Sequence, residues 1–371
     1  MGRGGPNRRR PRGGSRGLGR RTHRASHGAE PDVSAIDVHS HFFPREFVQL
    51  IEREGGPDGA GVRRDEEVPL LVMPGHPPVP LVPEFVDPEA RLSYMEARGI
   101  SLQALSLSPP MVYWASPQLG VRLARAFNDG IAELCAAYPD RFVGIATLPM
   151  QDVPAAVREA ERAVGELGLR GVYLATSTNG HYLDDTRFEP VWRLAANLGV
   201  PVFVHPTSHM GEAVLSRFHL FNTIGFPTET AAFVARLIYS GLLDRLKGVR
   251  VVLAHGGGVF PFLLGRLEHA HRSRRELRET IPRPPSGYLE HFYFDTVVHG
   301  DGALAYVVRT VGAERMVLGS DAPYDMADDD PVGRVRRLGL TESEERAVLA
   351  ETARRLLGLD GAASGELGRK P

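Results

Sequence analysis

Five residues have the types and positions to do chemistry together. His39 and His41 stand two apart in the run Ala35–His41, and strand geometry turns residues at that spacing to one face. His205 follows Pro201–Val204, His255 follows Val251–Ala254, and Asp321 closes Met316–Ser320. Singly, each has an ordinary reading. A histidine ending an apolar strand is commonly a hydrogen-bonded structural group, and a strand-terminal aspartate commonly caps the next helix. Four such strand ends are harder to explain separately, because each buries a polar group that needs a partner. Three imidazoles and one carboxylate suit Zn²⁺ or a similar divalent ion with one position open.

These side chains meet only if the strands carrying them converge. Short β-type runs recur at Ala35–His41, Leu102–Ser108, Phe142–Pro149, Gly171–Thr176, Pro201–His205, Val249–His255, Phe292–Val298 and Met316–Ser320. Helical periodicity fills most gaps, over Gln118–Ala137, Val153–Leu167, Phe188–Leu198, Glu229–Leu246, Phe260–Leu277, Ala303–Val311 and Glu342–Leu357. Eight strands alternating with helices predict one (β/α)₈ TIM barrel over 35–360, whose strand C-termini share a single mouth. A doubly wound sheet competes, but no glycine-rich dinucleotide fingerprint follows any strand. The first connection, from about Phe42 to Val86, is long and proline-rich and is expected to form a lid insertion over that mouth.

Composition narrows the class further. The formal charge of −1 hides an asymmetry: residues 1–24 hold nine arginines and no acid, leaving 35 basic against 45 acidic side chains elsewhere. Residues 1–34 are rich in Gly, Pro, Ser and Arg and are expected to be disordered, as is a flexible end at 361–371. The tail lacks the apolar segment of an export signal. A nucleic-acid-binding arm is set aside for a dispensable extension or a start codon placed too far upstream. One cysteine, Cys135, excludes an internal disulfide framework and a Cys-based zinc site and fits the cytoplasm. No apolar run approaches the length of a membrane span. The only lysines are Lys247 and Lys370, which leaves little room for Schiff-base chemistry.

The segments HSHFFP (39–44), HP (205–206), FPTET (226–230), AHGGGVFPFLLGR (254–266), PRPPSGYLEHFYFD (282–295) and LGSDAPY (318–324) occur in order. Together they resemble the amidohydrolase superfamily, in the branch around 2-amino-3-carboxymuconate-6-semialdehyde decarboxylase, over about residues 35–357. The resemblance implies a (β/α)₈ barrel and a metal-dependent, non-oxidative decarboxylase of an unsaturated or aromatic acid. It makes His39, His41, His205 and Asp321 the metal ligands. His255 becomes the catalytic histidine that activates a water at the ion, with Asp321 able to share in proton transfer. It implies one ion, Zn²⁺ or Mn²⁺, and no organic cofactor. Binuclear members use a lysine ending the fourth strand, and Arg170–Thr176 contains none. Arg266 matches an arginine that reaches a neighbouring subunit's substrate, which implies a homodimer; an ordinary helix-surface salt bridge is its competing role.

Two departures bear on specificity. The branch carries a substrate-binding arginine in its lid, whereas Glu66–Pro88 has none and Val79 stands in that place. Phe218 replaces a tryptophan after the HP motif and is carried as a substrate-binding position. A lost arginine implies a small carboxylate substrate with one fewer carboxylate, or one bound differently. Hydrolysis of an amide or lactone, or hydration, on the same barrel is the alternative activity. A non-enzymatic binding scaffold ranks third.

Overall fold

The structure, a computed structural model, describes residues 1–2, 34–208 and 211–360. The tail expected over 1–34 lies outside the described residues except for Met1, Gly2 and Ser34, and the expected flexible end at 361–371 lies wholly outside them. Eight strands form the barrel: β1 (Ala35–His41), β2 (Ile100–Ser106), β3 (Phe142–Gly144, resuming at Ala146–Thr147), β4 (Val172–Ala175), β5 (Val202–His205), β6 (Val251–Leu253), β7 (Phe292–Asp295) and β8 (Met316–Val317). Every neighbouring pair is parallel and follows chain order. Closure comes from the chain just beyond β8: Val38 N donates to Leu318 O at 2.9 Å and His41 N to Ala322 O at 2.8 Å. Parallel strands covered on both faces read as continuous apolar runs, as Val202–Val204 and Val251–Leu253 do.

The first connection is an ordered insertion. It holds α1 (Arg45–Glu54), a three-stranded antiparallel sheet (Gly61–Arg63, Leu70–Val72, Val79–Pro80), α2 (Pro83–Val86) and α3 (Pro88–Ala97), which leads into β2. Strands of two or three residues are too short for alternation to reveal, so only the prolines were legible. Phe47, Ile51, Leu71 and Val79 bury their side chains, which makes the insertion part of the scaffold.

Around the barrel run α4 (Pro117–Ala137), α5 (Val153–Gly165), α6 (Glu189–Leu198), α7 (Phe226–Tyr239), α8 (Phe260–Ser273), α9 (Asp301–Val311) and α10 (Thr352–Leu357). Their ends follow local chemistry. Proline sits in the first turn of α4 to α8, where a missing N–H costs no hydrogen bond. Asp152 caps α5 by accepting from Ala155 N at 3.0 Å. Three helices expected to be continuous are interrupted. Gly241, at φ 67°, separates α7 from Leu242–Arg245. Extended backbone at Arg274 ends α8, and a π-helical turn at Ala347–Glu351 divides Glu342–Leu357. Among the described residues no helix is long and apolar enough to cross a membrane.

Candidate metal centre and active site

The ends of β1 and β5 and the turn after β8 bring His39, His41, His205 and Asp321 together. One ligand atom from each lies within 4.8 Å of the others, and all four residues are buried. Each imidazole is turned so that Nε2 faces the cluster. His39 Nδ1 donates to Asp295 Oδ2 at 2.6 Å, and His205 Nδ1 donates to Pro206 O at 2.7 Å. Ser106 Oγ gives its proton to Ser40 O, so at 3.3 Å it can only accept from His41 Nδ1. With Nδ1 protonated three times over, three Nε2 lone pairs point at one place, the usual preparation for a metal.

The electrostatics fit a cation. Burial pushes His41 down to about 4, and it holds His205 well below its ordinary value with help from His255 and His39. Both are therefore neutral and able to donate lone pairs. Burial also opposes a charged His39, but the Asp321 and Asp295 carboxylates outweigh it and lift that imidazole to about 9. His39 Nε2 is buried without a hydrogen-bond partner; Asp321 Oδ1, at 3.3 Å, makes only a charge contact. A divalent ion placed there takes over the position of that proton. Burial works to raise Asp321, yet the charge of His39, with the His255 and His41 imidazoles alongside, holds its carboxyl well below the usual range. The donor set thus fits one divalent ion. β4 ends at Ala175, followed by Thr176, so no lysine is available there to bridge a second.

His255 stands beside this set, its Nε2 3.7 Å from Asp321 Oδ2. Its Nδ1 is buried with no hydrogen-bond partner. The turn that carries it explains the three glycines. His255 itself is left-handed at φ 56°, and Gly256, Gly257 and Gly258 follow at 62°, 75° and 61°. A Cβ on Gly258 would lie 2.0 Å from Pro227 O, a backbone atom that cannot swing aside. Gly258→Ala is expected to destabilise the protein by about 3 kcal/mol through strain and overpacking. Urea unfolding checks this, and a loss below about 1 kcal/mol would contradict it. Asp321, at φ 63°, is also left-handed, so both residues expected to take part in proton transfer sit on constrained backbone.

A cavity of about 500 Å³ opens onto His255 and Asp321. Asn222, Thr223, Val259, Phe262, Val297, Val298, His299 and Tyr306 contribute to its wall. The two positions expected to bind substrate do not. Phe218 is 75% exposed with Arg217 over its ring, and Arg266 is exposed on α8 without an ion pair among the described residues. Val79 is buried inside the small antiparallel sheet.

Three important residues escaped the sequence reading. Asp295 holds His39 and also accepts from the amides of His255 (3.0 Å), Gly256 (2.7 Å) and Val297 (3.0 Å). It ends β7 as an aspartate after an apolar run, the same signal that marked Asp321. His299, left-handed at φ 55°, is visible only through its place in the wall. Arg91 is fully buried, and burial lowers it to about 10, so it stays charged at neutral pH.

Comparison with known proteins agrees with this geometry. The family model described as amidohydrolase matches residues 36–359. A 2-amino-3-carboxymuconate-6-semialdehyde decarboxylase of Dictyostelium discoideum is 32% identical over 331 residues, covering 88% of this chain and 92% of that protein. A gamma-resorcylate decarboxylase of Rhizobium sp. is 31% identical, covering 74% and 88%. The crystal structure of a dihydroxybenzoic acid decarboxylase from Polaromonas sp., with bound manganese and the inhibitor 2-nitroresorcinol, superposes with a TM-score of 0.73 at 26% identity, covering 88% and 97%. The chain belongs to the amidohydrolase family.

Proposed function

We propose that the protein is a metal-dependent carboxy-lyase that removes CO₂ from a small unsaturated or aromatic acid. The observation that carries this is the buried His39–His41–His205–Asp321 set with His255 3.7 Å from Asp321, facing a cavity of about 500 Å³. The chain's relatives among known decarboxylases support it. His39, His41, His205 and Asp321 hold one divalent ion, Zn²⁺ or Mn²⁺. When bound, the ion supplies Lewis-acid charge that anchors an anionic substrate in an otherwise acidic body. His255 moves the proton: its imidazole delivers one to the carbon bearing the carboxylate. The bond from that carbon to the carboxylate then breaks, its electron pair returns to the conjugated system, and CO₂ leaves. Asp321, beside His255, shares the proton. The wall at Val259, Phe262 and Val298 offers apolar contacts to the body of such an acid.

The experiment is a panel assay on metal-loaded protein. CO₂ release is expected from at least one hydroxybenzoate or carboxymuconate-type acid, with no proton release from lactones or amides. Hydrolysis across the second set without CO₂ from the first would overturn the reading in favour of a hydrolase.

We also read the protein as a cytoplasmic homodimer. Phe218, Ile224 and Phe262 are exposed large apolar side chains, Phe262 at the cavity wall, and Arg266 lies one turn beyond Phe262 on α8. In a dimer Arg266 of one copy would orient the anionic substrate of the other. Sedimentation equilibrium at micromolar concentration tests this, and a monomer would refute it.

A further inference from the structure

We infer that Arg91 is a positioning residue for the metal centre, one side chain that sets the backbone of both ligand-bearing segments at the barrel seam. The inference rests on the four-ligand set described above. Arg91 lies on α3, which belongs to the insertion, and its guanidinium is fully enclosed. Among the described residues no carboxylate pairs with it. Instead its fork is distributed over three acceptors. Nη2 donates to His41 O at 2.5 Å, Nε and Nη2 donate to Glu84 O, and Nη1 donates to Gln103 Oε1 at 3.2 Å. Because Arg91 can only donate, the Gln103 amide must turn its oxygen towards it. That leaves Gln103 Nε2 to donate to Asp37 Oδ2 at 2.7 Å.

Asp37 completes the connection. Its Oδ1 accepts from His39 N and Ser320 N, both at 3.0 Å, while Oδ2 also accepts from Ser320 Oγ at 2.5 Å. Arg91 therefore reaches the His41 peptide directly. Through Gln103 and Asp37 it also reaches the His39 amide and the residue preceding Asp321. Three of the four ligands hang from this web. The Glu84 carbonyl adds a further link, because Phe85 beside it packs its ring 5.2 Å from Tyr324, which in turn lies 5.4 Å from His41. The end of the insertion and the metal site thus share one anchor. Lysine cannot replace it, since a single ammonium lacks the planar fork that meets His41, Glu84 and Gln103 together.

The test is Mn²⁺ binding to metal-free protein, read as free Mn²⁺ by electron paramagnetic resonance, so that turnover plays no part. Arg91→Met is expected to raise the dissociation constant 10- to 100-fold, the range found when partners of metal ligands are removed, and Arg91→Lys to recover only part of it. Leu123→Ala, in the buried face of α4, serves as a destabilised control and is expected to bind Mn²⁺ like the parent. If Arg91→Met does not fold, Gln103→Leu cuts the same web and is expected to weaken binding at least 5-fold. Parent-like affinity in a folded Arg91→Met or Gln103→Leu would overturn the inference, as would an equal loss in Leu123→Ala. If the parent itself binds no Mn²⁺, the metal-site reading fails instead, and the two failures are thereby separate.

Discussion

Replacing His255 by asparagine is expected to lower kcat/KM by about 10²- to 10⁴-fold, the span that a positioned proton donor contributes. About one ion per chain should remain bound. The separation is possible because His255 lies beside the four-ligand set without belonging to it. Asparagine is the informative replacement. His255 occupies left-handed backbone at φ 56°, which asparagine tolerates better than alanine, so the turn into Gly256–Gly258 is kept. Nor does the change strand a partner, because Nδ1 has none and the amide remains tied to Asp295. Metal content by elemental analysis and initial rates of CO₂ release decide it. A loss smaller than tenfold would sink the role of His255, and loss of the ion would make it a ligand.

The second large effect is expected at Asp295. This buried carboxylate accepts from one imidazole and three backbone amides, so Asp295→Ala strands four donors and removes the charge that His39 faces. Breaking a buried charged contact on one side costs about 3–5 kcal/mol. The variant should lose that much in urea unfolding, measured without metal so that lost ion binding does not inflate it. Asp295→Asn keeps the shape but turns an acceptor into a donor at one of its two oxygens. It should lose less stability while Mn²⁺ affinity still falls 10- to 100-fold. Asp295→Ala unfolding within about 1 kcal/mol of the parent would show that neighbouring groups or water satisfy those donors.

Asp295 also shows what was legible in advance and what was not. The cluster could be read because a barrel gathers its strand ends at one mouth, with His39 and His41 two apart on β1 and the others each following an apolar run of four or five positions. His205 and Asp321 are local signals of that kind. Asp295 gives the same signal at the end of Phe292–Phe294 and stood inside a recognised motif, yet nothing local distinguishes a residue that holds the ion from one that holds a ligand. Arg91 gave no signal at all. In PEARLSYMEA it reads as an ordinary helix charge, and only tertiary packing buries it. The insertion's small sheet and the break at Gly241 were missed for a related reason, since both rest on two or three residues, below the length over which periodicity can be recognised. The cavity wall was not legible in the same way: Phe218 and Arg266 are exposed in a single chain, while His299 and Asn222, which gave no signal, line the cavity.

The way the cavity is partitioned has a consequence for how such a protein can change. Its wall comes wholly from residues 222–326, whereas the polar web under the ion draws on β1, α3, β2 and Ser320. Of the residues proposed to carry the chemistry, only His255 and Asp321 also line the cavity. Mutational drift at Asn222, Thr223, Val298, His299 or Tyr306 can therefore explore new substrates without passing through forms that have lost the ion. A barrel arranged this way is a good starting point for directed evolution. Libraries confined to the wall should return folded, metal-loaded clones at far higher frequency than libraries of equal size drawn from the web.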